Sequence, residues 1–188
     1  MFNIVYMKST LEKIIFILSF FVVSAAQADM FRSTLFSLNT IYLDRDYDDN
    51  GVKTQSKATD TDLRLMRIEK HWSYGGIYSL SSSDASISSR TSIGLSAGYY
   101  SERDFYMNFH YYFSSKYSFG GGSEYTKGGG YEFDVGFLNK ITSSFYAGIM
   151  LAIKNFTYTE LTVGGVKSGT SASHKEVIPM FTFAVNLM

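Results

Sequence analysis

Residues 176–188, the end of the chain, constrain what it can fold into more than any other stretch. From Val177 the odd positions are Val177, Pro179, Phe181, Phe183, Val185 and Leu187, all apolar. The even positions, Glu176, Ile178, Met180, Thr182, Ala184 and Asn186, are smaller and mixed. Alternation with period two sends the two sets to opposite faces of a β-strand. In water, a long strand with an apolar outer face at a chain terminus is an aggregation hazard. That hazard vanishes if the face meets lipid and the strand edges close into a barrel, because a bilayer tolerates no unpaired backbone group.

Seven further segments supply the other strands. Residues 31–46 set Phe36, Leu38, Thr40 and Tyr42 on one face, yet Leu35, Ile41 and Leu43 on the other, so the facing stays open. Residues 59–70 mix Leu63, Leu65, Met66 and Ile68 with Arg64, Arg67, Glu69 and Lys70, and their facing stays open too. A third strand is read at 74–80. Residues 91–100 alternate cleanly, with Ile93, Leu95, Ala97 and Tyr99 against Ser92, Gly94, Ser96 and Gly98. Residues 105–114 oppose Phe105, Met107, Phe109, Tyr111 and Phe113 to Tyr106, Asn108, His110 and Tyr112. Strands at 131–138 and 144–158 continue the pattern, with Glu132, Asp134 and Lys154 on the polar side. Long breaks at 47–58, 81–90, 115–130 and 159–175 are predicted as surface loops, and the Gly-rich third as flexible. Short turns are predicted near 71–73, 101–104 and 139–143.

The polar face carries small residues and charges, and the other face Ile, Leu, Val, Phe or Tyr. Small and charged residues suit a narrow lumen, and an eight-stranded interior has no room for so many rings. A soluble barrel would point the apolar face inward. The pattern therefore predicts an all-β, eight-stranded antiparallel up-and-down transmembrane β-barrel over residues 29–188. Aromatic girdles are expected at Trp72, Tyr74 and Phe105 toward the short turns, and at Tyr42, Tyr78, Tyr111, Tyr131 and Tyr158 toward the long loops.

Residues 1–28 read as a cleaved signal peptide. Lys8 and Lys13 precede an apolar run at 14–26, and Ala26-Gln27-Ala28 is a small-x-small cleavage site. The run is shorter than the roughly 20 residues of a spanning helix. Met7-Lys8 would also serve as a translation start. Removing Lys8 and Lys13 from 17 basic residues, and Glu12 from 17 acidic ones, leaves the remainder one charge negative. Near-neutrality gives no electrostatic case for nucleic acid. With no cysteine, disulfides and thiolate metal sites are excluded. No cofactor is expected.

Signal peptide, strand count, loop rhythm and terminal strand together make the chain resemble the small OmpA/OmpX-type outer-membrane barrels. The resemblance implies a bacterial outer-membrane location, with lipid and lipopolysaccharide around a monomer. It departs at the end, where Leu187 and Met188 stand in place of an outward-facing aromatic residue.

Candidate chemistry is confined to the polar face. Glu132, Asp134, Lys154 and Glu176 are expected in one lumen with His110, and Arg45, with Arg64 or Arg67, is expected to join them, because buried charges must pair. A network that plugs the barrel is the leading expectation, and a narrow pore for ions or small solutes the alternative. A lipid-modifying enzyme would need a His–Ser pair oriented by a carboxylate, and no such spacing is visible around His71, His110 or His174. Asp46, Asp48 and Asn50, followed by Gly51, copy the opening of a calcium loop, but Lys57 occupies the position that needs a bidentate carboxylate. A weak divalent-cation site in a solvated turn is what remains. The leading function is a non-enzymatic surface or structural role, with exposed loops available to a partner.

Overall fold

The computed structural model describes residues 32–49, 52–84, 88–101 and 104–187, with side chains except at 32, 44–49 and 52–56. The expected leader, residues 1–28, lies outside them. Eight strands follow one another: β1 (Arg32–Asp49), β2 (Val52–Glu69), β3 (Trp72–Ser83), β4 (Ser88–Tyr100), β5 (Phe105–Phe119), β6 (Ser123–Lys140), β7 (Phe145–Val163) and β8 (Val166–Asn186). Each pairs antiparallel with the next, and β8 returns to β1, so the ring is closed. The expected eight-stranded up-and-down barrel is what the chain forms.

The predicted long loops are mostly strand. Residues 115–130 contribute the ends of β5 and β6, leaving Gly120, Gly121 and Gly122 between them, and 159–175 likewise extend β7 and β8. Glycine and serine lower strand propensity only modestly, and interleaved rings supply cross-strand contacts, such as Tyr117 on Tyr125 with centroids 6.4 Å apart. At the β7–β8 tip, Val163 pairs with Val166 across Gly164 (φ 56) and Gly165 (φ 84). Two positive φ angles in a two-residue loop match the right-handed strand twist, which glycine permits at no steric cost.

The open facings resolve by burial. Ser33, Leu35, Ser37 and Asn39 point inward from β1, and Asp60, Asp62, Arg64, Met66 and Ile68 from β2. The lower interior holds an apolar cluster of Leu35, Ile68, Leu138, Tyr146 and Met180 around the stacked rings of Tyr100 and Tyr106, with Ser73, Asn108 and Thr182 buried beside it. Gly136 makes room there, since a Cβ would lie 2.9 Å from Cζ of Tyr106.

Candidate functional site: the ion column of the lumen

The alternation of β2, β5, β6 and β7 aims charged side chains into one narrow space, where desolvation forces them to find partners. Arg64 is the hub. Its guanidinium lies 2.5 Å from Asp134, 3.1 Å from Glu132 and 3.6 Å from Asp62. Lys154 donates to both carboxylate oxygens of Asp62, at 2.9 and 3.0 Å, and stands 3.5 Å from Glu132. The Tyr112 hydroxyl donates to Glu132 at 2.6 Å. All of these side chains are fully or nearly fully buried.

His110 bridges Asp134, 2.8 Å from Nε2, and Ser96, whose Oγ is 2.6 Å from Nδ1. The order Ser–His–Asp is that of an acyl-transfer triad, with the two ring nitrogens exchanged relative to it. Arg64 already holds the carboxylate, and the backbone beside Ser96 and His110 is committed to ladders with β3, β5 and β6. An oxyanion needs donors aimed at it, and the strands that carry Ser96 and His110 pair with neighbours on both sides. The two bonds fix the imidazole from both ring nitrogens. His110, Glu132 and Asp134 also bring their ligand atoms within 4.8 Å of one another, a spacing suited to a metal ion. The Arg64 guanidinium bonds two of the three and supplies the positive charge instead.

Above this group, Arg90 lies 2.7 Å from Glu176 and 3.5 Å from Asp60, and stacks 4.2 Å over the Phe156 ring. His174 Nε2 is 2.6 Å from Glu176. Higher still, Tyr117, Phe119, Tyr125 and Tyr158 turn inward and pack ring on ring.

The predicted network is therefore split in two. Glu132, Asp134, Lys154 and His110 meet as expected, whereas Glu176 belongs to the upper cluster through Arg90. Arg64 joins the network, and Arg67 points outward beside Glu69 at 3.7 Å. Arg45 lies on β1 opposite Ser56, and its side chain is outside those described. Asp46 and Asp48 sit in the same extended strand, opposite Gln55 and Lys53, so these two positions of the calcium-like motif fall on a strand instead of a wrapped loop. Asn50 is outside the described residues. Tyr158 is a further correction: it is buried inside the barrel and is no part of an outer girdle. Asp60, Asp62 and Arg90 were missed. Period two at 60, 62 and 64 was a usable signal for the first two, but Arg90 was hidden in a Ser-rich stretch read as loop.

The outer surface carries an apolar band that includes Leu65, Leu95, Phe109, Ile149 and Phe181, all exposed. Trp72 and Tyr74 lie at its lower rim, and Tyr42 and Tyr131 at its upper rim. Beyond the upper rim the outer face turns polar. There Glu160 gathers Lys127 at 2.8 Å, Lys167 at 3.0 Å and the Thr126 hydroxyl at 2.8 Å. Hydrogen bonds from Lys127, then Lys167 and Thr126, hold its carboxyl down at about 2.

No family model and no curated protein matches the chain. Among solved structures it is similar to the outer membrane protein OprG from Pseudomonas aeruginosa, at 10% identity over 82% of this chain and 94% of that one, with a TM-score of 0.42. It is also similar to the outer membrane protein AlkL, determined in DMPC lipid bilayers, at 11% identity over 86% of this chain and 90% of that one, with the same TM-score of 0.42. The chain is an eight-stranded antiparallel β-barrel. That statement rests on its own strand pairing.

Proposed function

We propose that this barrel spans a bacterial outer membrane with a plugged lumen and acts, without catalysis, by binding a partner at its outward end. The observation that carries this reading is the buried column of Arg64, Asp62, Lys154, Glu132 and Asp134. Ions so mutually bonded occupy the cross-section that a pore would need, and with eight strands little other space is available. The exposed apolar band supports the membrane location, since a patch of that extent belongs against lipid or a partner. Strands that continue past the band support an outward-facing role.

Two measurements test the reading. Purified barrel in detergent should migrate differently on a gel before and after heating, and planar bilayers containing it should stay silent. Partition as a soluble protein without detergent would overturn the membrane location, and regular channel openings the plugged lumen. The Ser96–His110–Asp134 trio motivates one enzymatic control. Incubation with lipid A should leave its mass unchanged, for wild type and for Ser96→Ala alike.

A further inference from the structure

The junction that closes the ring is unlike the other seven. Neighbouring strands elsewhere pair over 12 to 18 residue positions, whereas β1 and β8 pair over six, from Leu35 opposite Asn186 to Thr40 opposite Phe181. The place where this ladder stops follows from backbone chemistry. The Leu187 N–H donates to the Thr34 carbonyl at 2.7 Å, while the Asn186 N–H donates to Ser144, on the other side of β8. Backbone groups alternate sides along a strand, so those of Phe183 and Phe181 face β1, and Pro179 is next. The same register would set Pro179 opposite Tyr42, in a position where two residues exchange a pair of hydrogen bonds. Proline has no N–H to give. The ladder ends at the first pair it cannot complete.

Both strands nevertheless continue outward, β8 through Ser173, Lys175 and Val177 and β1 through Tyr42, Asp44, Asp46 and Asp48. By the same alternation, the N–H and C=O groups of these residues face the seam, and none has a strand partner across it among the described residues. Most of this open edge lies above the apolar band, level with the polar outer surface at Lys175. An edge in lipid must be closed, but one in water is a template for strand addition.

We infer that the outward β1–β8 seam is a docking edge for an extended polypeptide segment, which adds antiparallel to β8 along residues 173–177. Only another strand offers donors and acceptors at the spacing these backbone groups present. This inference rests on the surface-binding reading above and names the mode of binding. Affinity comes from main-chain hydrogen bonds, and Pro179 keeps the edge from being consumed by the chain's own β1.

The probe is a fluorescent peptide with the sequence of residues 41–49, the stretch that would otherwise lie along this edge, added to full-length barrel in detergent. Saturable binding is expected by anisotropy, with slowed amide exchange at Ser173, Lys175 and Val177. The same peptide N-methylated at the positions of Asp44, Asp46 and Asp48 should lose binding. Because the chain has no cysteine, Asp44→Cys with Val177→Cys, the next opposed pair of the same register and one that leaves Pro179 in place, gives a single lockable pair. Binding should be lost in the oxidised variant and return on reduction. The inference is overturned if the unlocked barrel does not bind, if N-methylation or the lock makes no difference, or if the protected amides belong to a dimer of this chain. Silent bilayers with no peptide binding would remove this inference alone. Channel openings would instead remove the surface-binding reading on which it rests.

Discussion

The barrel has two storeys, and strand β7 passes through both. In the lower one Ile149, Leu151 and Ile153 face out while Met150, Ala152 and Lys154 face in; in the upper one Thr157 and Thr159 face out while Phe156 and Tyr158 face in. The period holds from Ile149 to Thr159, but the polarity reverses beside Lys154. Below that level the outer face is apolar through the band, with Arg67 and Glu69 exposed toward its lower end, and the buried charges inside are paired. Above it the outer face is polar, and rings move to the interior as in a soluble barrel. On the membrane-spanning reading proposed above, the solvent, not the strand, decides which face is apolar.

Breaking the lower storey should have the largest effect. Arg64→Ala takes the guanidinium from Asp134 and leaves Glu132 only the more distant Lys154 at 3.5 Å, and removing one partner of a buried ion group costs about 3–5 kcal/mol. The temperature of the heat-induced gel shift should fall sharply. Next comes a paired test of the outer face. Leu95→Arg places a charge in the apolar band, at about 2–4 kcal/mol near a bilayer midplane, whereas Thr157→Arg above the band should cost about 0–1 kcal/mol. Urea unfolding in lipid vesicles measures both, and equal costs would erase the two-storey distinction. Tyr112→Phe removes one hydroxyl bond to Glu132, and a hydrogen bond to a charged group contributes about 1.5–3 kcal/mol. The smallest effect lies outside the band. Glu160 is held at about 2 against an ordinary 4.5, so its support of the β6–β7–β8 extensions is complete above pH 4.5 and fades as pH falls toward 2. Amide protection factors near Thr126 and Glu160, which allow for the intrinsic slowing of exchange in acid, should fall over that window and, because exposed charges are screened, also with added salt.

The reversal also explains what could be read from the chain alone. Strands β4 to β8 were legible through the band because one face is polar and the other is not, as with Ser96 beside Leu95. Strands β1 and β2 were not, since the barrel floor is an apolar cluster and Leu35 inside balances Phe36 outside. The upper strands were misread as loops for a related reason. Their Gly and Ser content suits a loop, and what makes them strands is pairing with residues far along the chain, such as Tyr125 with Leu161. The site divided in the same way. His110, Glu132, Asp134 and Lys154 were found from alternation, whereas Arg64 as hub and Arg90 as the upper cation depend on which face β2 presents and where β4 begins.

The six-residue junction between β1 and β8 also bears on how the barrel comes together. It joins the two ends of the described chain, so closing it means bringing Thr40 and Phe181 together across everything between. A flexible loop of that length loses about 4 kcal/mol of entropy on closure. Every other junction is made between neighbours in sequence and costs far less. Ring closure should therefore be the slow, late step of assembly, begun at Leu187 and Thr34 and halted at Pro179. The same junction should be the first to part when the folded barrel fluctuates, and Pro179→Val, by lengthening it, should slow that opening.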